Sequence, residues 1–277
     1  MKTIVANLFL CFISIWSFAQ QPAFIVKKHG AGTPVLLLPG FATPGSVWKE
    51  TVANLHGNYE THIVTYAGFN GVAAIDTPWY SQIKSQLLDY INKNNLKNLV
   101  IIGHSMGGTL AVDLASEAPS RVRKLVLVDA LPCMRDIMMP GVSEADIQYN
   151  TPYNNQTLKM SPDQFRNTAV MMANYMASDK NKSDTVAKWI MEADRKTYVY
   201  GYTDLLKLDL RDSLKKVTAK TLILAATIPY GEVVKQNLEK QYQHLKEKTI
   251  LLAPESKHFI MFDQPEWFYK QVNAFLQ

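Results

Sequence analysis

At 277 residues, 47% apolar and 19% charged, the chain is long enough to bury one large core and should pack as a globule. Its 29 basic residues outnumber its 24 acidic ones for a formal charge of +5, but the lysines (Lys27, Lys97, Lys124, Lys215, Lys246) are scattered. The dense basic run expected of a protein that binds nucleic acid or acidic lipid is missing.

Residues 1–19, MKTIVANLFLCFISIWSFA, carry one early cation at Lys2, an apolar run from Ile4 to Phe18, and small residues at Ser17 and Ala19. The pattern predicts a signal peptide cleaved near Ala19 and an exported protein, periplasmic or secreted; an uncleaved anchor is the alternative. Of two cysteines, Cys11 falls in this segment, so Cys133 stands alone in the mature chain and no intrachain disulfide can form.

Beyond residue 20, short β-branched or leucine-rich runs alternate with longer amphipathic stretches. This alternation predicts an α/β fold, a mostly parallel central sheet flanked by helices. Strands are expected at Ala23–Lys27, Val35–Leu38, His62–Tyr66, Leu99–Ile102, Leu125–Val128, Thr221–Ala225 and Thr249–Leu252. Helices are expected at Val47–Leu55, Tyr80–Asn92, Gly107–Glu117, Val233–His244 and Glu266–Phe275; in the second, Ile83, Leu87, Leu88 and Ile91 make one apolar face.

Residues 132–219 break the alternation, with helical periodicity and no strand-like run. SPDQFRNTAVMMANYM opens with Ser161 as cap, Pro162 in the first turn and Gln164 three residues after the cap. A second helix is expected from Ser183, carrying Val186, Trp189 and Ile190. The block reads as a helical lid inserted into a core of residues 20–131 and 220–277. Of the 11 methionines eight lie in it, among them Met134, Met160, Met172 and Met176. A flexible, polarisable cover of this kind suits an apolar substrate, though the same residues could simply pack the lid helices. Tyr198, Tyr200 and Tyr202 alternate near its end, either lining a pocket or pairing on a strand-like edge.

The stretch that carries chemistry is GHSMGG, Gly103–Gly108, placed where a buried strand gives way to a helix. That context makes G-x-S-x-G a nucleophile elbow, with Ser105 exposed at the carboxyl end of the sheet and Gly103 and Gly107 sparing a collision with neighbouring backbone. The chain from Phe24 onward resembles the α/β-hydrolases, whose chain order is nucleophile, acid, histidine. The resemblance extends to LLLPGFATPGSVW, where Pro39-Gly40-Phe41 follows a strand, and it implies an oxyanion hole from the N–H groups of Phe41 and Met106. It also implies that His258, in APESKHFIMFDQPEWF, is the general base, for the family keeps its histidine in the last loop before the final helix.

The acid departs from the usual pattern. Most relatives carry an aspartate after the strand that here reads TLILAA, but TIPYGE follows, with Pro229 near that position. Asp129, ending KLVLVDALP, matches the haloalkane dehalogenases, which take their acid from the earlier strand; Glu232 is the alternative. Those dehalogenases use an aspartate where this chain has Ser105, so carbonyl chemistry fits better. No H-E-x-x-H, cysteine cluster or phosphate loop is present, and neither metal nor cofactor is implied. The expected function is a serine hydrolase of small, apolar carboxylic esters or related lactones and amides, since relatives with similar lids include lactonases and iminopeptidases. The alternative is a non-catalytic small-ligand-binding protein that has lost its acid. The oligomeric state stays open.

Overall fold

Leu36–Leu38, Leu99–Ile102, Leu125–Val128 and Leu222–Ala225 are aliphatic on both faces, so they are satisfied only where helices cover both sides of a sheet. The computed structural model describes residues 21–277 and buries all four runs. The signal peptide expected at 1–19 lies outside the described residues.

Seven strands, β1 (Phe24–Gly30), β2 (Thr33–Leu38), β3 (Tyr59–Tyr66), β4 (Leu99–His104), β5 (Val122–Val128), β6 (Lys220–Ala226) and β7 (Lys248–Ala253), form one sheet in the order β1-β3-β2-β4-β5-β6-β7. Only β1 runs antiparallel, against β3, and its solvent-facing alternation marks it as an edge. The helices of the core are α1 (Lys49–Ala53), α2 (Trp79–Lys93) and α3 (Met106–Glu117). Between β5 and β6 come α4 (Met134–Met138), α5 (Pro152–Lys159), α6 (Pro162–Met176), α7 (Lys180–Met191) and α8 (Arg195–Lys207), and the chain ends with α9 (Val233–Gln241), α10 (Ile260–Asp263) and α11 (Pro265–Leu276).

Register aligns the carboxyl ends of the central strands. Leu38 pairs with Gly103, His104 with Val128, and Val128 with Leu224, so the residues that follow all emerge at one edge. Ser105 and Asp129 each extend the ladder by one bond, Ser105 N–H to Val128 O at 2.8 Å and Asp129 N–H to Leu224 O at 2.7 Å. Each then takes a left-handed backbone, φ 54° and 46°, which turns the chain out of the sheet.

Several elements differ from expectation for local reasons. The helix expected at Val47–Leu55 is a 3₁₀ turn (Gly45–Trp48) followed by the short α1. The second helix of the insert starts at Lys180 rather than Ser183, because the Asp179 carboxylate accepts the Lys182 N–H and caps it. Tyr198, Tyr200 and Tyr202 lie on α8, capped by Asp194, and not on a strand-like edge. His62, the first residue of the expected third strand, is fully buried within the longer β3, with the hydroxyl of Tyr90 at 2.7 Å from Nδ1 and Glu60 at 3.0 Å from Nε2.

The insert is fastened to the core through a buried carboxylate. Asp204 on α8 accepts the Tyr80 N–H at 3.1 Å, satisfying one of the free amides at the start of α2, and also the Tyr149 hydroxyl. Asp204→Ala leaves that amide buried without an acceptor. It is expected to lower stability by about 1–3 kcal/mol in urea unfolding, and an unchanged midpoint would show that the contact is dispensable.

Candidate active site

Strand β4 is buried throughout and hands directly to α3, so Ser105 falls on the single residue between them. A serine at φ 54°, ψ −124° is strained, at about 1–3 kcal/mol, and is held there by its surroundings. The Ser105 carbonyl accepts N–H groups from Gly108 at 2.8 Å and Thr109 at 3.1 Å. A Cβ on Gly103 would stand 2.3 Å from the Gly107 carbonyl oxygen, and one on Gly107 would stand 2.2 Å from that of Leu38. The second glycine thus admits the end of β2 and, with it, the Pro39-Gly40-Phe41 turn.

That turn is fixed beside the serine. A Cβ on Gly40 would lie 3.4 Å from Ser105 Cβ and 2.8 Å from His104 Nδ1. Thr43 closes the loop, its N–H on the Gly40 carbonyl at 3.2 Å and its hydroxyl on that of Phe41 at 3.2 Å. Met106 is the first residue of α3, where the amide has no carbonyl one turn back to bond and the helix dipole favours negative charge.

The Phe41 ring lies among Phe69, Trp79, Tyr198 and Tyr202, with centroids 5.0–5.9 Å away. The cluster joins the turn after β2 to α8, since Tyr198 and Tyr202, one turn apart, share a face. Tyr200 instead meets Tyr149 at 5.3 Å. Gly201 allows the close approach, for a Cβ there would meet the Phe41 ring at 3.0 Å.

Asp129 and His258 meet. Asp129 Oδ2 accepts the His258 Nδ1–H at 2.6 Å, while Oδ1 accepts the Ala226 N–H at 3.0 Å. Burial opposes charge on Asp129, but the bond and charge of His258, with the Ala226 amide, hold its carboxyl below the usual carboxylate range. A carboxylate can only accept, so the proton sits on Nδ1 and Nε2 of His258 is left as a base. About a quarter of each side chain, 27% for His258 and 24% for Asp129, remains open to a reactant. Glu232 stands exposed at the start of α9, and the Nδ1 of His258 is already engaged.

His104 joins the elbow to the histidine loop. Its Nε2–H donates to the His258 carbonyl at 3.0 Å and the two rings lie 4.5 Å apart. Its Nδ1 is buried with no partner among the described residues. Burial, reinforced by the nearby His258, pushes the His104 pKa down to about 3, so the ring stays neutral. Cys133 is buried, and burial raises its thiol pKa.

A strained serine elbow, an adjoining turn and a carboxylate-bound histidine at the carboxyl edge of such a sheet define a hydrolase site. The profile of the Alpha/beta hydrolase family matches residues 35–271, and the chain belongs to that family. Among curated proteins it is similar to the pimeloyl-[acyl-carrier protein] methyl ester esterase of Legionella pneumophila strain Paris, 27% identical over 91% of this chain and 98% of that one. The same-named enzyme from Vibrio vulnificus strain YJ016 is 24% identical over 90% of this chain and 96% of that one. Among solved structures, an esterase from Exiguobacterium antarcticum superposes with a TM-score of 0.75 at 20% identity, covering 91% of this chain and 95% of that one. The enol-lactonase of Burkholderia xenovorans LB400 reaches 0.75 at 15% identity, covering 91% and 96%. The protein is an esterase-like hydrolase. Among the described residues no helix is long and apolar enough to cross a membrane.

Sequence patterns do not reveal the His104 link to the His258 carbonyl or the Ala226 amide on Asp129, because each joins strand ends far apart in the chain. The His104 environment has a measurable consequence. Its folded pKa of about 3 lies below the unfolded value near 6.5, so between these the unfolded chain binds a proton that the folded chain refuses. The contribution is complete above about pH 6.5 and is lost as the pH falls towards 3, at up to about 1.4 kcal/mol per pH unit. Urea unfolding between pH 7 and 4 should therefore show a shallower decline in His104→Gln than in the native protein, as about one proton fewer is taken up. Equal slopes would mean that His104 is not held neutral.

Proposed function

We propose that the protein hydrolyses small carboxylic esters with an apolar acyl or alkyl group through an acyl-enzyme, using Ser105, His258 and Asp129. The observation that carries this reading is the 2.6 Å bond between Asp129 and His258, with Asp129 and the strained Ser105 following paired, adjacent strands. His258 Nε2 takes the Ser105 hydroxyl proton as Oγ bonds to the carbonyl carbon. The resulting oxyanion accepts the N–H groups of Phe41 and Met106, which contribute about 3–4 kcal/mol each when aimed at it. The C–O bond to the leaving alcohol breaks as the imidazolium returns the proton to that oxygen. Water, deprotonated by the same nitrogen, then releases the acid and restores the serine. Asp129 keeps the ring in the required tautomer throughout.

The choice of an ester is supported by the similarity to methyl ester esterases; a lactone is the nearest alternative bond class. Apolar character is supported by the half-buried Phe41, Tyr198 and Tyr202 beside the proposed oxyanion turn, and by Met134, Met160, Met172 and Met176 packed from the insert against the core. In this reading residues 132–219 act as a lid that makes the apolar wall of the site. Export through the amino-terminal apolar segment belongs to the same reading.

Turnover of a p-nitrophenyl ester series tests the assignment of the acid. Asp129→Asn should lower kcat by about 10²–10⁴-fold by removing the tautomer lock, whereas Glu232→Gln should stay within about twofold of the native protein. The reverse ranking would move the acid to the loop after β6.

A further inference from the structure

The loop that carries His258 is tied to the insert on both sides of the histidine. On one side, the Lys257 ammonium donates to the carbonyls of Asn174 at 2.6 Å and Ala177 at 3.4 Å, at the C-terminus of α6. On the other, the Phe259 N–H donates to the Met176 carbonyl at 3.0 Å. Asp263, at the end of α10, closes the arrangement. Its Oδ1 accepts the Ser178 N–H at 2.9 Å, and its Oδ2 accepts the Ser178 hydroxyl at 2.9 Å and the Lys257 N–H at 2.8 Å. Two oxygens of one carboxylate thus hold donors from the insert and from the residue next to His258. Further out, Phe259 and Phe262 stack at 5.2 Å, with Trp189 of α7 6.2 Å from Phe262.

These contacts lie outside the strand pairing of the sheet. They join an inserted helix end to a loop after the last strand, 85 residues away in the chain. They also leave the His258 backbone few independent ways to move, since its neighbours on both sides bond to the insert and its own carbonyl bonds to His104. We propose that Asp263 is a positioning residue that couples the helical insert to the general base, so that His258 is held in line with Ser105 only while α6 is docked. The insert then sets the geometry of the base as well as walling the site. The proposal rests on the reading of His258 as the base.

The test compares the native full-length protein with Asp263→Asn, Ser178→Ala and Lys257→Met. Each is assayed for p-nitrophenyl acetate turnover, for the rate at which a small fluorophosphonate labels Ser105, and for melting temperature. Asp263→Asn places an amide N–H₂ against one of the donors. It should lower kcat and the labelling rate together by more than about tenfold with KM nearly unchanged, as expected for a displaced base. Ser178→Ala, a change confined to the insert, should slow labelling several-fold in the same sense, and Asp263→Glu, which keeps both acceptors, should recover part of the loss. Lys257→Met removes only the ammonium contacts to Asn174 and Ala177, so it keeps the test open if Asp263→Asn fails to fold; several-fold slower labelling is again expected. Labelling and kcat within about twofold of native in folded variants, with only the melting temperature lowered, would overturn the proposal. So would a rise confined to KM, with kcat and labelling unchanged. Failure of the native protein itself to label would instead refute the assignment of Ser105 and His258.

Discussion

Everything at the carboxyl edge depends on a left-handed backbone at Ser105, a conformation that a serine adopts only when its surroundings leave no other. The enforcing contacts are between main chains: Gly103 against Gly107, and Gly107 against the carbonyls of Leu38 and Pro39. The contact that strains the serine is therefore also the one that seats the Phe41 turn beside it. Side-chain packing can relax around a change; backbone atoms 2.2–2.4 Å from a notional Cβ cannot. The strain of a few kcal/mol is affordable because four central strands and their flanking helices bury a large aliphatic core.

The second constraint is register. Parallel pairing carries His104 level with Val128 and Val128 level with Leu224, so the elbow and Asp129 leave the sheet in adjacent strands with the same left-handed turn. The Ala226 amide, from the end of β6, fixes the Asp129 carboxylate against His258, while the loop after β6 carries Pro229 and no aspartate there. His104 then links the elbow to the His258 carbonyl, at the expense of a buried ring whose second nitrogen has no partner among the described residues. The site is a set of strand ends aligned by pairing, with bonds between neighbouring ends rather than within any one loop.

Which parts of this were legible in the sequence follows from how local each cause is. Aliphatic runs and helical faces are local, and the core strands fall close to where periodicity puts them. The elbow is local too: Gly103, Ser105 and Gly107 lie within five residues, and their spacing reports the steric conflict directly. The meeting of Asp129 and His258 is not local, because choosing between Asp129 and Glu232 requires knowing how far β5 and β6 extend past each other. Tyr198, Tyr200 and Tyr202 were ambiguous because alternation over five residues fits a strand edge, while the Asp194 cap that makes them helical stands four residues before the first. The burial of His62 is equally non-local, since it depends on Tyr90 of α2 lying over β3. The Ser178 donors to Asp263 come from the insert, and no spacing rule could reveal them.

The central claim is that these strand ends together activate Ser105. Its most direct measurement is intact-protein mass spectrometry of residues 20–277 after exposure to a fluorophosphonate, alongside Ser105→Ala and His258→Ala. The account predicts a single adduct on the native protein, located at Ser105, absent from the first variant and formed far more slowly in the second. A folded native protein that takes up no adduct, or one labelled equally well without His258, would contradict it.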